Sequence, residues 1–113
     1  MTGRPKLDLD QAAEFLRSVP AGNWTSYGDV AVAAGRGPNA AQGIVSWIGS
    51  RGHQLHGVHR VLNVRGEVNA SWTPAGPSLP QDAHAVRELL EREGLRFTND
   101  RADPRQRSRP SSG

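Results

Sequence analysis

Apolar residues recur at helical spacing in four stretches of the chain. Asp8 or Asp10 can serve as an N-cap, and Leu9, Ala12, Ala13 and Leu16 then follow the i, i+3, i+4, i+7 stripe of an amphipathic helix. Pro20 and Gly22 stop it. Thr25 or Ser26 caps a short second helix, with Tyr27, Val30, Ala31 and Ala34 inward and Gly35 at its close. Gly37-Pro38 opens a third, since proline suits a first helical turn. Its buried stripe is Ala41, Ile44, Val45 and Ile48, with an end near Gly49. The period then changes. Over residues 52–78, Val58, Val61, Leu62, Val64 and Val68 stand among Gly57, Asn63, Gly66 and Asn69, a pattern of short strands and turns. Asn63-Val64-Arg65-Gly66 predicts a hairpin turn in which glycine supplies the positive φ. Ser78 and Pro80 introduce a last helix with Ala83, Val86, Leu89 and Leu90 inward and Gly94 as its cap, and Leu95-Arg96-Phe97 predicts a short strand.

These elements predict an α+β, mostly helical domain over residues 1–97, resembling a winged helix, with a helix-turn-helix and a small β-hairpin. Residues 98–113 are rich in Arg, Ser, Asp and Pro, end on Gly113, and are too polar to bury, which predicts a disordered Arg-rich tail.

Composition narrows the chemistry. The 113 residues include no cysteine, which excludes thiol nucleophiles, disulfides and zinc–thiolate sites. No apolar run has the ~18–20 residues of a membrane span, and Met1 to Lys6 lead straight into the amphipathic pattern, so the expectation is a cytoplasmic protein with no membrane partner. Net charge is +3, from fourteen basic residues against eleven acidic ones. A sequence pI near 10.5 suggests a polyanion partner. The segment 98–113 supplies much of it, with Arg101, Arg105, Arg107 and Arg109 against Asp100 and Asp103.

The outward positions of the third helix are Asn39, Ala40, Gln42, Gly43 and Ser46, all small or uncharged. A solvated face ordinarily carries Glu, Lys and Arg. Two readings stay open: a face bared for close approach to a surface such as a minor groove ~6 Å wide, or residues packed within the fold. His53, His56 and His59 have a spacing that invites a metal, but Gly52 and Gly57 mark a loop and no nearby carboxylate or thiol completes a set. No metal and no cofactor are expected.

Four collinear segments carry a resemblance. Val19-Pro20-Ala21-Gly22 with Thr25-Ser26-Tyr27-Gly28-Asp29-Val30-Ala31, then Gly37 to Val45, then Gly57-Val58-His59-Arg60-Val61-Leu62-Asn63, and finally Glu88 to Gly94 resemble the DNA-binding domain of O6-alkylguanine-DNA alkyltransferases over residues 8–97. The family's alkyl-acceptor cysteine falls at Val58, whose side chain has no lone pair to attack an alkyl carbon. The chain therefore resembles the alkyltransferase-like proteins, which lack that cysteine. The resemblance implies a non-enzymatic protein that binds double-stranded DNA through the minor groove, accepts a flipped O6-alkylguanine, and marks it for nucleotide excision repair proteins. By the same likeness Tyr27, Asn39, Ala40, Ala41, Gln42, Gly43 and Ser46 are DNA-binding residues. Val58, His59 and Arg60 border the lesion pocket, with Arg60 chiefly a scaffold residue and His59 a hydrogen-bonding strut or a donor near the flipped base. The family's intercalating arginine falls at Gln42, which is shorter and uncharged. Two rivals remain, a DNA-binding regulator using the same helix and a degenerate domain acting as a protein-interaction module. A monomer is the expectation.

Overall fold

The computed structural model describes residues 8–51, 55, 57–69, 80 and 82–110. Among the described residues, four α-helices and two small sheets make up an α+β fold. Helix α1 (Leu9–Ser18) is capped by Asp8, whose side chain accepts from the Gln11 amide, and it buries Ala12 and Leu16. Strand β1 (Thr25–Ser26) runs straight into α2 (Tyr27–Ala33). Ser26 and Asp29 form a reciprocal capping box there, satisfying two amides that a helix start leaves unpaired. A single 3-10 turn, Pro38–Ala40, then leads into α3 (Ala41–Arg51), which buries Ile44 and Ile48. Helix α4 (Ala83–Arg92) is capped by Asp82 and buries Val86 and Leu90.

Strand β2 (Val61–Leu62) pairs in parallel with β1, in the register Thr25 to Val61 and Ser26 to Leu62. Successive strand residues point to opposite faces, and β2 uses this to feed two cores. Val61 packs with Ala12, Leu16, Val30, Ile44 and Val58, while Leu62 packs with Trp24, Val86, Leu90, Leu95 and Ala102. The first core joins α1, α2 and α3; the second fastens α4 and the C-terminal segment to the same ladder.

Two expectations are corrected. The turn at Asn63 forms, with Gly66 at φ +81° and the Asn63 side chain accepting from the amides of Arg65 and Glu67. The antiparallel hairpin, however, is β3 (Phe97–Thr98) with β4 (Arg101–Ala102), because Val61 and Leu62 are both buried against β1. The disordered tail is the second correction. Residues 98–110 fold back as β4 and a 3-10 turn at Pro104–Gln106, and the chain beyond that turn bridges in parallel to Trp24. Composition overstated the disorder because this segment is held largely by polar contacts, with Ala102 its one described residue in the apolar core. The indole Nε1 of Trp24 donates to the Asp103 carbonyl at 2.9 Å, and Gln106 Nε2 donates to the carbonyls of Gly22 and Gly94, each at 3.0 Å. Residues 70–79, with the expected loop from Thr73 to Pro77, fall outside the described residues, as do His53 and His56.

Candidate nucleic-acid interface

Tyr27 is the first residue of α2, and the capping box fixes its backbone. Its ring is buried, 7% exposed, in the core shared with Ile44, Ile48 and Val58. Its hydroxyl accepts a hydrogen bond at 3.4 Å from Asn69 Nδ2. Burial raises the pKa of this phenol above its ordinary value, against a smaller lowering by Asn69, so it is a neutral hydroxyl at pH 7.

Along α3 the bared face is real. Asn39, Gln42, Gly43, Ser46, Gly49 and Ser50 are all exposed, and they recur at the spacing of one helix face. A Cβ built on Gly49 would meet open space. Ala40 and Ala41 are half-buried and pack against the first core, so these two of the predicted contact residues also hold the helix down. Of the two readings of this face, packing within the fold therefore applies to Ala40 and Ala41 and not to the rest. The opposite side of α3 packs on α2, so Tyr27 and the exposed face are braced by one core.

The segment aligned with the alkyl-acceptor run forms a 3-10 turn, Val58–Arg60, entered through Gly57 at φ +77°. Val58 is 1% exposed and belongs to the first core. Arg60 is also buried, and it makes a two-point contact with Glu93: Nε to Oε1 at 3.0 Å and Nη2 to Oε2 at 2.9 Å. Its Nη1 donates to the Val19 carbonyl at 2.9 Å. His59 Nε2 lies 3.0 Å from Glu93 Oε2. Burial pushes the Glu93 carboxyl up, but the hydrogen bonds and charges of Arg60 and His59 outweigh it and hold it below the usual carboxylate range. Arg60 is thus a brace between the turn, α4 and the end of α1, and His59 shares its carboxylate.

Sequence reasoning missed two partners. In the sequence Glu93 is only one residue of the Glu88 to Gly94 segment, with no role of its own. Asp29 caps α2 and also receives Arg107, with Nε to Oδ2 at 2.8 Å and Nη2 to Oδ1 at 3.1 Å. Burial raises the Asp29 carboxyl, and the bonds from Arg107 and Ser26 prevail, lowering it. Spacing alone could not have found either pair, since both join residues more than thirty positions apart. Among the described residues no group of three His, Cys, Asp or Glu could hold a metal, and no helix is long and apolar enough to cross a membrane.

The family model for the DNA-binding domain of 6-O-methylguanine DNA methyltransferase matches residues 10–95. The chain belongs to this family. Within it, the chain is a cysteine-less, alkyltransferase-like member. No residue of the chain offers a thiol to accept an alkyl group, so the protein does not carry out alkyl transfer to a cysteine. In fold it is similar to S. pombe Atl1, solved in complex with damaged DNA containing O6-carboxymethylguanine. That likeness has a TM-score of 0.68 at 21% identity and covers 94% of this chain and 100% of the other. A search of curated protein sequences finds no match.

Proposed function

We propose that this protein binds double-stranded DNA and recognises O6-alkylguanine-type lesions without repairing them. The observation that carries the reading is the exposed, uncharged face of α3, from Asn39 to Ser50, braced by the same core as Tyr27 and Val58. Small side chains let a helix lie close to a narrow groove. Asn39, Gln42 and Ser46 supply hydrogen-bonding groups, and the neutral Tyr27 hydroxyl can donate to a phosphate. In this reading Gln42 wedges into the space left by a flipped nucleotide, and the bound complex marks the lesion for excision by other proteins. Flipping costs a few kcal/mol, least at a damaged base, which is one source of selectivity. The complex of S. pombe Atl1 with damaged DNA supports this assignment.

The experiment compares binding of duplexes with and without one O6-alkylguanine, by fluorescence anisotropy at fixed salt. Preference for the lesion duplex is the expected result. Equal affinity for both removes lesion recognition. One observation favours the second reading, a protein-interaction module: Gln42 has neither the length nor the charge of the arginine in that position. Under that reading neither duplex binds.

A further inference from the structure

The C-terminal segment lies outside the matched family region, yet it grips the start of the helix that carries Tyr27. Three contacts converge there. The Arg107 guanidinium forks onto Asp29, and its Nη2 also donates to Ser26 Oγ at 3.2 Å, so one side chain engages both members of the α2 capping box. The same guanidinium lies 5.4 Å from the Trp24 ring centroid, and Trp24 is 2% exposed. Next along the chain, the Ser108 amide donates to the Trp24 carbonyl at 2.6 Å, while the Thr25 hydroxyl donates to the Ser108 carbonyl at 2.8 Å. Residues 24–26 are thereby clamped between β2 on one side and residues 106–108 on the other. The next residue after this clamp is Tyr27. Both ion-pair partners are largely out of water, with side chains 16% and 11% exposed, so the pair holds its geometry rather than exchanging with solvent.

We propose that Arg107 is a positioning residue for DNA binding: through Asp29 and Ser26 it sets the first turn of α2, and with it the direction of the Tyr27 hydroxyl. The inference rests on the proposed contact between Tyr27 and DNA for its consequence, but not for its geometry. An arginine suits the task better than a lysine, because only the planar fork can bond both carboxylate oxygens and stack on an indole at once.

Tyr27 is the only tyrosine in the chain, so phenol ionisation followed by absorbance reports this one site. In the full-length protein, well below its melting temperature, Arg107→Lys keeps the charge but loses the two-point fork on Asp29; as the first turn of α2 loosens and water reaches the ring, the Tyr27 ionisation should fall back toward the ordinary range near pH ~10. A role confined to global stability would leave the folded-state titration where it was. On lesion duplex the same variant should weaken binding about fivefold, the worth of one lost hydrogen bond. In a Tyr27→Phe background it should weaken binding less than about twofold, because the group it positions is already absent. If Arg107→Lys does not fold, Asp29→Asn cuts the same link and is read by DNA binding in the two Tyr27 backgrounds, because the guanidinium it leaves unpaired would move the phenol by charge alone. An unmoved tyrosine titration overturns the proposal whatever the DNA does, and so do additive losses in the two backgrounds. Should the wild-type protein bind neither duplex, the functional reading fails while the titration still decides whether Arg107 positions Tyr27.

Discussion

The exposed face of α3 and the C-terminal segment serve the same short helix α2, and they are built from opposite materials. Across α3 and the 3-10 turn before it, six exposed positions from Asn39 to Ser50 carry no charge, and the Ser50 hydroxyl turns back to carbonyls of its own helix. At the start of α2, one guanidinium, one carboxylate, two hydroxyls and an indole interlock within hydrogen-bond or stacking distance. The contrast teaches where rigidity is placed. A surface meant to be approached closely cannot carry long side chains, so the charged groups that fix its geometry sit behind it. Arg60 with Glu93 repeats the arrangement beneath the Val58 turn.

The largest effect expected comes from removing the segment behind. A chain ending at Phe97 loses the Arg107–Asp29 pair, the Asp103 carbonyl that receives Trp24, and the packing of Ala102. Breaking one buried ion pair alone costs about 3–5 kcal/mol, so thermal unfolding followed by far-UV circular dichroism should show a far less stable or unfolded protein. A melting temperature within a few degrees of full length would return residues 98–110 to a dispensable tail.

Next is Glu93→Gln, which leaves the Arg60 guanidinium buried without a carboxylate and should cost about 3 kcal/mol. The variant also sharpens the comparison through pH. Folding lowers the Glu93 and Asp29 carboxyls, so the folded state binds fewer protons than the unfolded one. Their contribution is complete above the unfolded carboxylate range, near pH ~4–5, and is lost as pH falls through the lower folded values. Acid titration of the wild type should lose stability across that window, and Glu93→Gln should lose less there. Equal acid slopes would mean that Glu93 is not held by Arg60 and His59.

On the α3 face the changes are smaller and fall on binding. Gln42→Arg adds a guanidinium and a longer plug, worth about 1–2 kcal/mol if it stacks or meets a phosphate. Affinity for O6-alkylguanine duplex should rise about tenfold, and by less on undamaged duplex. Equal gains that vanish at high salt would be plain charge attraction and would remove base flipping. The smallest effect is Tyr27→Phe, expected to weaken lesion binding by about 1 kcal/mol with thermal stability nearly unchanged. Unchanged affinity would make Tyr27 a core residue only.

The legible parts of the fold were those whose determinants lie within one turn of helix. Of the expected pairs Asp8 or Asp10 and Thr25 or Ser26, Asp8 and Ser26 are the caps, and Tyr27, Val30, Ala31 and Ala34 are all buried, because a 3.6-residue stripe and a capping side chain are local. Trp24 pins its loop to the core, as loop tryptophans commonly do. The hairpin at 97–102 was hidden because its turn uses Asn99 and Asp100 at positive φ without a glycine, between strands of two residues each. Of the candidate site, the face of α3 was legible as an absence of charge, and Arg60 as a scaffold. Its partner Glu93 was not, nor was Arg107. A charge found in a polar run reads as solvated, and only tertiary contact reveals which one is enclosed.

A lysine or arginine held still at an interface gives up about 1.5–2 kcal/mol of rotamer freedom, whereas a glycine side chain has none to lose. A partner closing on Gly43, Ser46 and Gly49 meets little side-chain motion to freeze, and Gln42 is the one long side chain among them. For this face the entropy of association is largely settled when the domain folds, which leaves shape rather than adaptation to decide what it fits.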